Sequence, residues 1–134
     1  MSPTTSTTSS DPVSKKALWT GRVLSALPVL LLVFSGAMKF TRGPGLAEGL
    51  QHLGIPLERA PGLGVLELAC TLLYVIPRTA VLGAILLTGY IGGAMAIHLR
   101  VGDAVVTHIL FGILIWGGVY LRDPRLRALI PLRR

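Results

Sequence analysis

Between Leu18 and Leu121 the chain falls into four nearly uninterrupted apolar runs: roughly Leu18 to Phe40, Pro61 to Ile76, Thr79 to Leu99 and Ala104 to Leu121. At a rise of about 1.5 Å per residue, each comes close to the roughly 30 Å of a bilayer's hydrocarbon core, the second being short and the fourth marginal. Such runs leave few polar residues to solvate a helix in water, so lipid is the expected solvent. The composition agrees, with 51% of the 134 residues hydrophobic, 14% charged and a mean hydropathy of +0.67. The expected fold class is an all-α membrane protein, a compact up-down bundle of four transmembrane helices with a short outer amphipathic helix.

The punctuation between the runs sets the connectivity. Pro77-Arg78 leaves room only for a tight turn between the second and third helices, and "RVGD" at 100–103 does the same between the third and fourth. The longer loop "TRGPGLAEGLQHLGIPLERAP" places Leu46, Leu50 and Leu53 at helical spacing, with Glu48, Gln51 and His52 on the other side. That pattern predicts a short helix lying on the outer surface. Residues 1–16 are Ser/Thr-rich, lack apolar periodicity and read as a disordered tail. Residues 17–121 form the membrane domain, and 122–134 a basic cytoplasmic segment in which Asp123 is the expected N-cap and Pro124 the first helical residue.

The net charge of +7 does not point to nucleic acid, because the cations flank apolar runs and form no stripe interleaved with aromatics. Placing the N-terminus inside assigns Lys15, Lys16, Arg22, Arg78, Arg122, Arg125, Arg127, Arg133 and Arg134 to the cytoplasmic side, leaving Lys39, Arg42, Arg59 and Arg100 outside. The bias predicts a multi-pass protein of the bacterial cytoplasmic membrane with both termini in. Trp19, Tyr74, Trp116 and Tyr120 then fall near the inner interface and read as an aromatic belt, while the C-terminal arginines face anionic lipid. The first run also resembles a signal peptide ending at Ser35-Gly36-Ala37, but its polar leader and its apolar stretch are longer than that reading needs. Cys70 is the single cysteine, so no internal disulfide or paired-cysteine redox site can form.

Polar residues inside the runs carry the chemistry. With Glu67 as origin, Cys70, Thr71 and Tyr74 follow at i+3, i+4 and i+7, so the second helix turns one polar face into the bundle. An ionised carboxylate facing lipid would cost several kcal/mol. Lys39 lies at the same outer level and is the expected partner. Lys39, Glu67, His98 and His108, accompanied by Arg100, Asp103 and Thr107, gather in the outer half and predict a polar pocket roofed by the amphipathic loop. Tyr90 could add a hydrogen bond to a quinone carbonyl there. No ligand-pair spacing within a helix supports a metal site. His52 reads as solvated, and Gly89 and Gly93, with Gly92 and Ala96, read as a helix-packing face roughly opposite His98.

"SGAMKF" closing the first run, "LGIP" in the loop, "GVLELACTLLYVIPRTAVLGAILLTGYIGGAMAIHLR" through the hairpin and "WGGVYLRDPRLRALIP" at the end resemble the DoxX-like family of small bacterial membrane proteins. The resemblance spans roughly residues 18–131. It implies a four-helix membrane protein and an association with membrane redox complexes, without a settled catalytic residue. Two functions follow as expectations. One is a redox-associated subunit that binds a quinone or other lipophilic ligand in the outer pocket and receives electrons from a partner protein. The other is a non-enzymatic adaptor or assembly factor whose basic C-terminal segment recruits a partner, the oligomeric state being left open by both.

Overall fold

The computed structural model of the protein describes residues 14–129, and all its regular elements are helical. They are α1 (Lys15–Thr41), α2 (Leu46–Leu53), α3 (Ala60–Val75), α4 (Ala80–Arg100), α5 (Val106–Arg122) and α6 (Pro124–Leu129), with single 3-10 turns at Leu57–Arg59 and Pro77–Thr79. Residues 1–13 of the expected tail and the terminal arginines Arg133 and Arg134 lie outside the described residues. Ser14 caps α1 by accepting from the Ala17 N–H, so Lys15 and Lys16, read from the sequence as part of the tail, are helical.

Local chemistry sets the helix ends. After α2, the Gly54 N–H bonds to the Gln51 carbonyl and the Ile55 N–H to the Leu50 carbonyl, with Gly54 at φ 73°. This is a Schellman turn, which only a residue tolerant of the left-handed region closes cheaply. Gly102, at φ 83°, ends α4 in the same way and folds the Asp103 N–H back onto the His98 carbonyl. At α6, Asp123 Oδ1 accepts from the Arg125 N–H, the cap read from the sequence.

The four long helices form a ring, α1 packing on α3 and α5, and α4 closing it against the same two. One end of this ring carries α2 and the α4–α5 turn; the other carries the start of α1, the α3–α4 turn and α6. Tyr74, Ala84, Leu87, Ile115 and Val119 fill the centre. Around them the molecule is inverted relative to a water-soluble protein. Glu67 and Thr71 are each 2% exposed, whereas Leu30 is 68% and Leu72 and Ile113 are each 61% exposed. Apolar side chains on all four helices thus face outward, as burial in lipid requires. Lys15–Thr41 and Pro77–Arg100 are long and apolar enough to cross a hydrocarbon core; α5, with 17 residues, and α3, with 16, are shorter.

Two sequence expectations change here. Tyr74 is fully buried and does not join an interfacial belt: its hydroxyl donates to the Ile115 carbonyl (2.7 Å) and accepts from Ser25 (2.9 Å), tying α3 to α5 and α1. Gly89, Gly92 and Gly93 do not pack a neighbouring helix either, since a Cβ at any of them would meet nothing within 4 Å. Close approach falls instead to Gly83, against the Tyr74 backbone, to Gly21 and Gly118 at the α1–α5 contact, and to Gly36 and Gly64 at the α1–α3 contact. Helical spacing identifies a small-residue face but not which element comes to it.

Candidate functional site

Glu67 sits on the inward face of α3, one turn before Thr71, whose hydroxyl donates to the Glu67 carbonyl (2.7 Å). From α1, Lys39 Nζ reaches Glu67 Oε2 at 2.5 Å and also donates to Ser35 Oγ at 2.8 Å. Ser35, one turn before Lys39, donates to the same carboxylate oxygen (3.4 Å), and Tyr90 Oη of α4 donates to it at 3.2 Å. Three helices therefore converge on one buried carboxylate. Every hydrogen bond to the carboxylate lands on Oε2, leaving Oε1 without a protein donor among the described residues. The expected ion pair is present; Ser35, read above only as a cleavage-site residue, is the member that its i−4 spacing from Lys39 could have revealed.

Beside this cluster lies a cavity of about 500 Å³. Its body is apolar, with Leu32, Leu63, Leu66, Ile91, Ile97 and Phe111 among its walls, so the polar residues of the expected pocket sit at an apolar chamber. Lys39, Glu67, Tyr90, His98, Thr107 and His108 all reach it, and Gly89 and Gly93 form part of its wall. His98 and Glu67 therefore share one cavity, and the glycines lie on the same side as His98 instead of opposite it. The missing side chains at Gly89 and Gly93 help make the space. Leu50 and Leu53 of α2 and Ile55 close the roof.

The roof is fastened by polar contacts. His52 Nε2 lies 2.9 Å from Asp103 Oδ1, so it is paired and not merely solvated; Asp103 Oδ2 meets His98 Nδ1 at 2.9 Å. Arg100 donates to the Leu53 carbonyl at 2.6 Å. Hydrogen bonds from His52, then from His98, hold the Asp103 carboxyl below its usual range. An ionised carboxylate can only accept, so His98 Nδ1 and His52 Nε2 are the protonated ring positions. The His98 and His108 rings lie 4.7 Å apart, and His108 Nδ1 is buried without a hydrogen-bond partner among the described residues.

Such an arrangement can bind an apolar body while offering it a small number of fixed polar contacts, the usual composition of a small-molecule site. The sequence model of the DoxX-like family matches residues 23–118, a span that includes every residue lining the cavity. No curated protein and no solved structure matches the chain.

Proposed function

The chain belongs to the DoxX-like family and is a membrane protein, and from that premise we propose that all four long helices cross the bilayer and that the cavity at the α2 end holds a lipophilic ligand with an oxygenated head. The α6 end collects Lys15, Lys16, Arg22, Arg78, Arg122, Arg125 and Arg127, which favours placing it in the cytoplasm, with the cavity near the outer face of a bacterial cytoplasmic membrane. The shorter α3 and α5, about 24 to 26 Å long at 1.5 Å per residue, span with the help of snorkelling flanks and local thinning of the bilayer.

A single observation carries the ligand reading. An apolar chamber in a membrane bundle holds a carboxylate whose second oxygen stays open and without a protein donor, and a buried histidine nitrogen that lacks a partner, both among the described residues. Buried polar groups without partners are costly, and a ligand that supplies them offsets that cost. A quinone fits this chemistry, with a flat apolar ring whose carbonyls would accept from Lys39 or from His108 and whose reduced hydroxyls would donate to the free Oε1 of Glu67. Bound quinone supplies the redox chemistry; the protein orients it, excludes water and exchanges protons at Glu67 and His108. With one cysteine in the chain, electrons come from a partner protein.

Titrating the protein in lipid nanodiscs with a short-tailed benzoquinone tests this. Glu67→Gln keeps a neutral acceptor for Lys39, Ser35 and Tyr90, and its melting temperature is measured beside the wild type's so that loss of binding is told apart from loss of fold. Saturable binding that weakens about tenfold or more in Glu67→Gln, as loss of a charged hydrogen-bond partner implies, supports the reading. Equal binding by both proteins, or none by either, removes it and favours the adaptor role, in which the Lys39–Glu67 pair only fixes helix register.

A further inference from the structure

The opposite end of the bundle holds a second, smaller cavity of about 240 Å³, between α1, α3 and α5. Two arginines line it, the exposed Arg22 from α1 and the half-buried Arg122 from α5. Arg122 is positioned from several sides. Its stem lies against Gly21, where a Cβ would come within 2.7 Å of its Cγ; its guanidinium lies 5.2 Å from the Tyr74 ring centroid; and its Nε donates to the Gly118 carbonyl at 3.3 Å. One amino group, Nη2, is nevertheless buried without a hydrogen-bond partner among the described residues. Arg22 is steadied by the face of Trp19, 5.5 Å from its centroid.

No carboxylate answers these two cations among the described residues. The ion pairs there join Lys39 to Glu67 and the histidines His52 and His98 to Asp103, all at the α2 end. The neighbouring Asp123 is engaged in capping α6. Arg127, by contrast, is satisfied, donating to the Tyr120 and Leu121 carbonyls at the end of α5. A buried guanidinium nitrogen left unpaired beside a second cation is a costly arrangement unless an anion completes it.

We propose that Arg22 and Arg122 clamp the phosphodiester of one anionic phospholipid in this cavity. Phosphate oxygens suit the guanidinium fork, which can donate to two of them at once. Lipid is favoured as the source by the order of groups along α1. Arg22 lies at the rim, Ser25 and Ala26 follow, and Val29 lies a turn deeper, while Val75 opens toward the surroundings at 48% exposure. Polarity therefore falls from the rim toward the bundle centre, as it does from a lipid headgroup to its acyl chains. This site is separate from the arginines of α6 and independent of the cavity at the α2 end.

The test is native mass spectrometry of the full chain in micelles supplied with phosphatidylglycerol or phosphatidylcholine, with inorganic phosphate in a parallel arm. The wild type is expected to retain one phosphatidylglycerol at collision energies that strip phosphatidylcholine. Retention is expected to fall about fivefold or more in Arg122→Gln and in Arg22→Gln, the second variant guarding against misfolding of the first, while Arg125→Gln, on the exposed face of α6, keeps it. Equal retention in all four proteins overturns the site. Displacement of the lipid by millimolar inorganic phosphate, dependent on Arg122, overturns the lipid assignment in favour of a free phosphate site.

Discussion

The helix seams and the chamber beside Glu67 use the same kinds of residue to opposite effect. At the seams, glycines are filled in: Gly83 receives the Tyr74 backbone, Gly21 and Gly118 let α1 and α5 touch, and Gly36 and Gly64 do the same for α1 and α3. Tyr74 satisfies its hydroxyl wholly within the protein, donating to Ile115 and accepting from Ser25. In the chamber, Gly89 and Gly93 face open space, and Glu67 and His108 each keep an atom without a protein partner among the described residues. The difference separates a fastening from a chamber. A glycine or a buried polar group has no fixed meaning until its neighbour is known.

Substitutions can break that comparison, and the largest effect is expected at the ion pair. Lys39→Met strands Glu67, which is 2% exposed, and is expected to cost about 3 to 5 kcal/mol, read as a large fall in melting temperature in detergent. Replacing both partners, Lys39→Met with Glu67→Leu, restores much of the stability without restoring ligand binding. If the single and double variants are equally unstable, the pair is not the source of the loss.

Next come the glycines. Gly83→Ala forces a methyl group into the Tyr74 backbone and is expected to cost about 3 kcal/mol, whereas Gly93→Ala meets no neighbour and leaves the melting temperature near that of the wild type. Equal losses would mean that both helix faces are packed. A smaller effect is expected from Tyr74→Phe, which leaves the Ile115 carbonyl and Ser25 to find other partners. A loss of roughly 1 kcal/mol is expected, with ligand binding at the α2 end unchanged.

The smallest effect concerns the roof. Because hydrogen bonds from His52 and His98 lower the Asp103 pKa, this latch contributes fully above the ordinary aspartate range and is lost as pH falls through the lowered value. Protection of the α2 amides from hydrogen exchange, corrected for the intrinsic pH dependence of exchange, should therefore fall only in acid. Asp103→Asn should be less protected already at neutral pH and show no such acid step. A wild type whose protection does not change with acid would detach Asp103 from the roof.

Much of this organisation was legible in the chain. The apolar runs marked the four long helices to within a few residues, the leucine spacing marked α2, and Asp123-Pro124 marked α6. The face shared by Glu67, Cys70, Thr71 and Tyr74 was also legible, because a polar stripe on an otherwise apolar helix has only the bundle interior to turn to. What escaped was depth and partnership. Tyr74 lies near a helix end in sequence and so resembled a belt aromatic, yet α1 and α5 extend past it and enclose it. Gly89 and Gly93 carried the spacing of a packing motif, but the helix that would have met them is displaced by the cavity. The pairing of His52 with Asp103 joins residues 51 positions apart and depends on two Schellman turns that no local pattern connects.

The central claim is that the chamber at the α2 end exists to hold a lipophilic molecule, and the most direct test is to ask what the purified protein already contains. Mass spectrometry of the lipophilic extract should be compared between wild type and Glu67→Gln at matched melting temperature. The account predicts a near-stoichiometric molecule with an oxygenated ring head in the wild type, absent or strongly depleted in the variant. The same bulk phospholipids in the same amounts from both proteins, with nothing else, would contradict it.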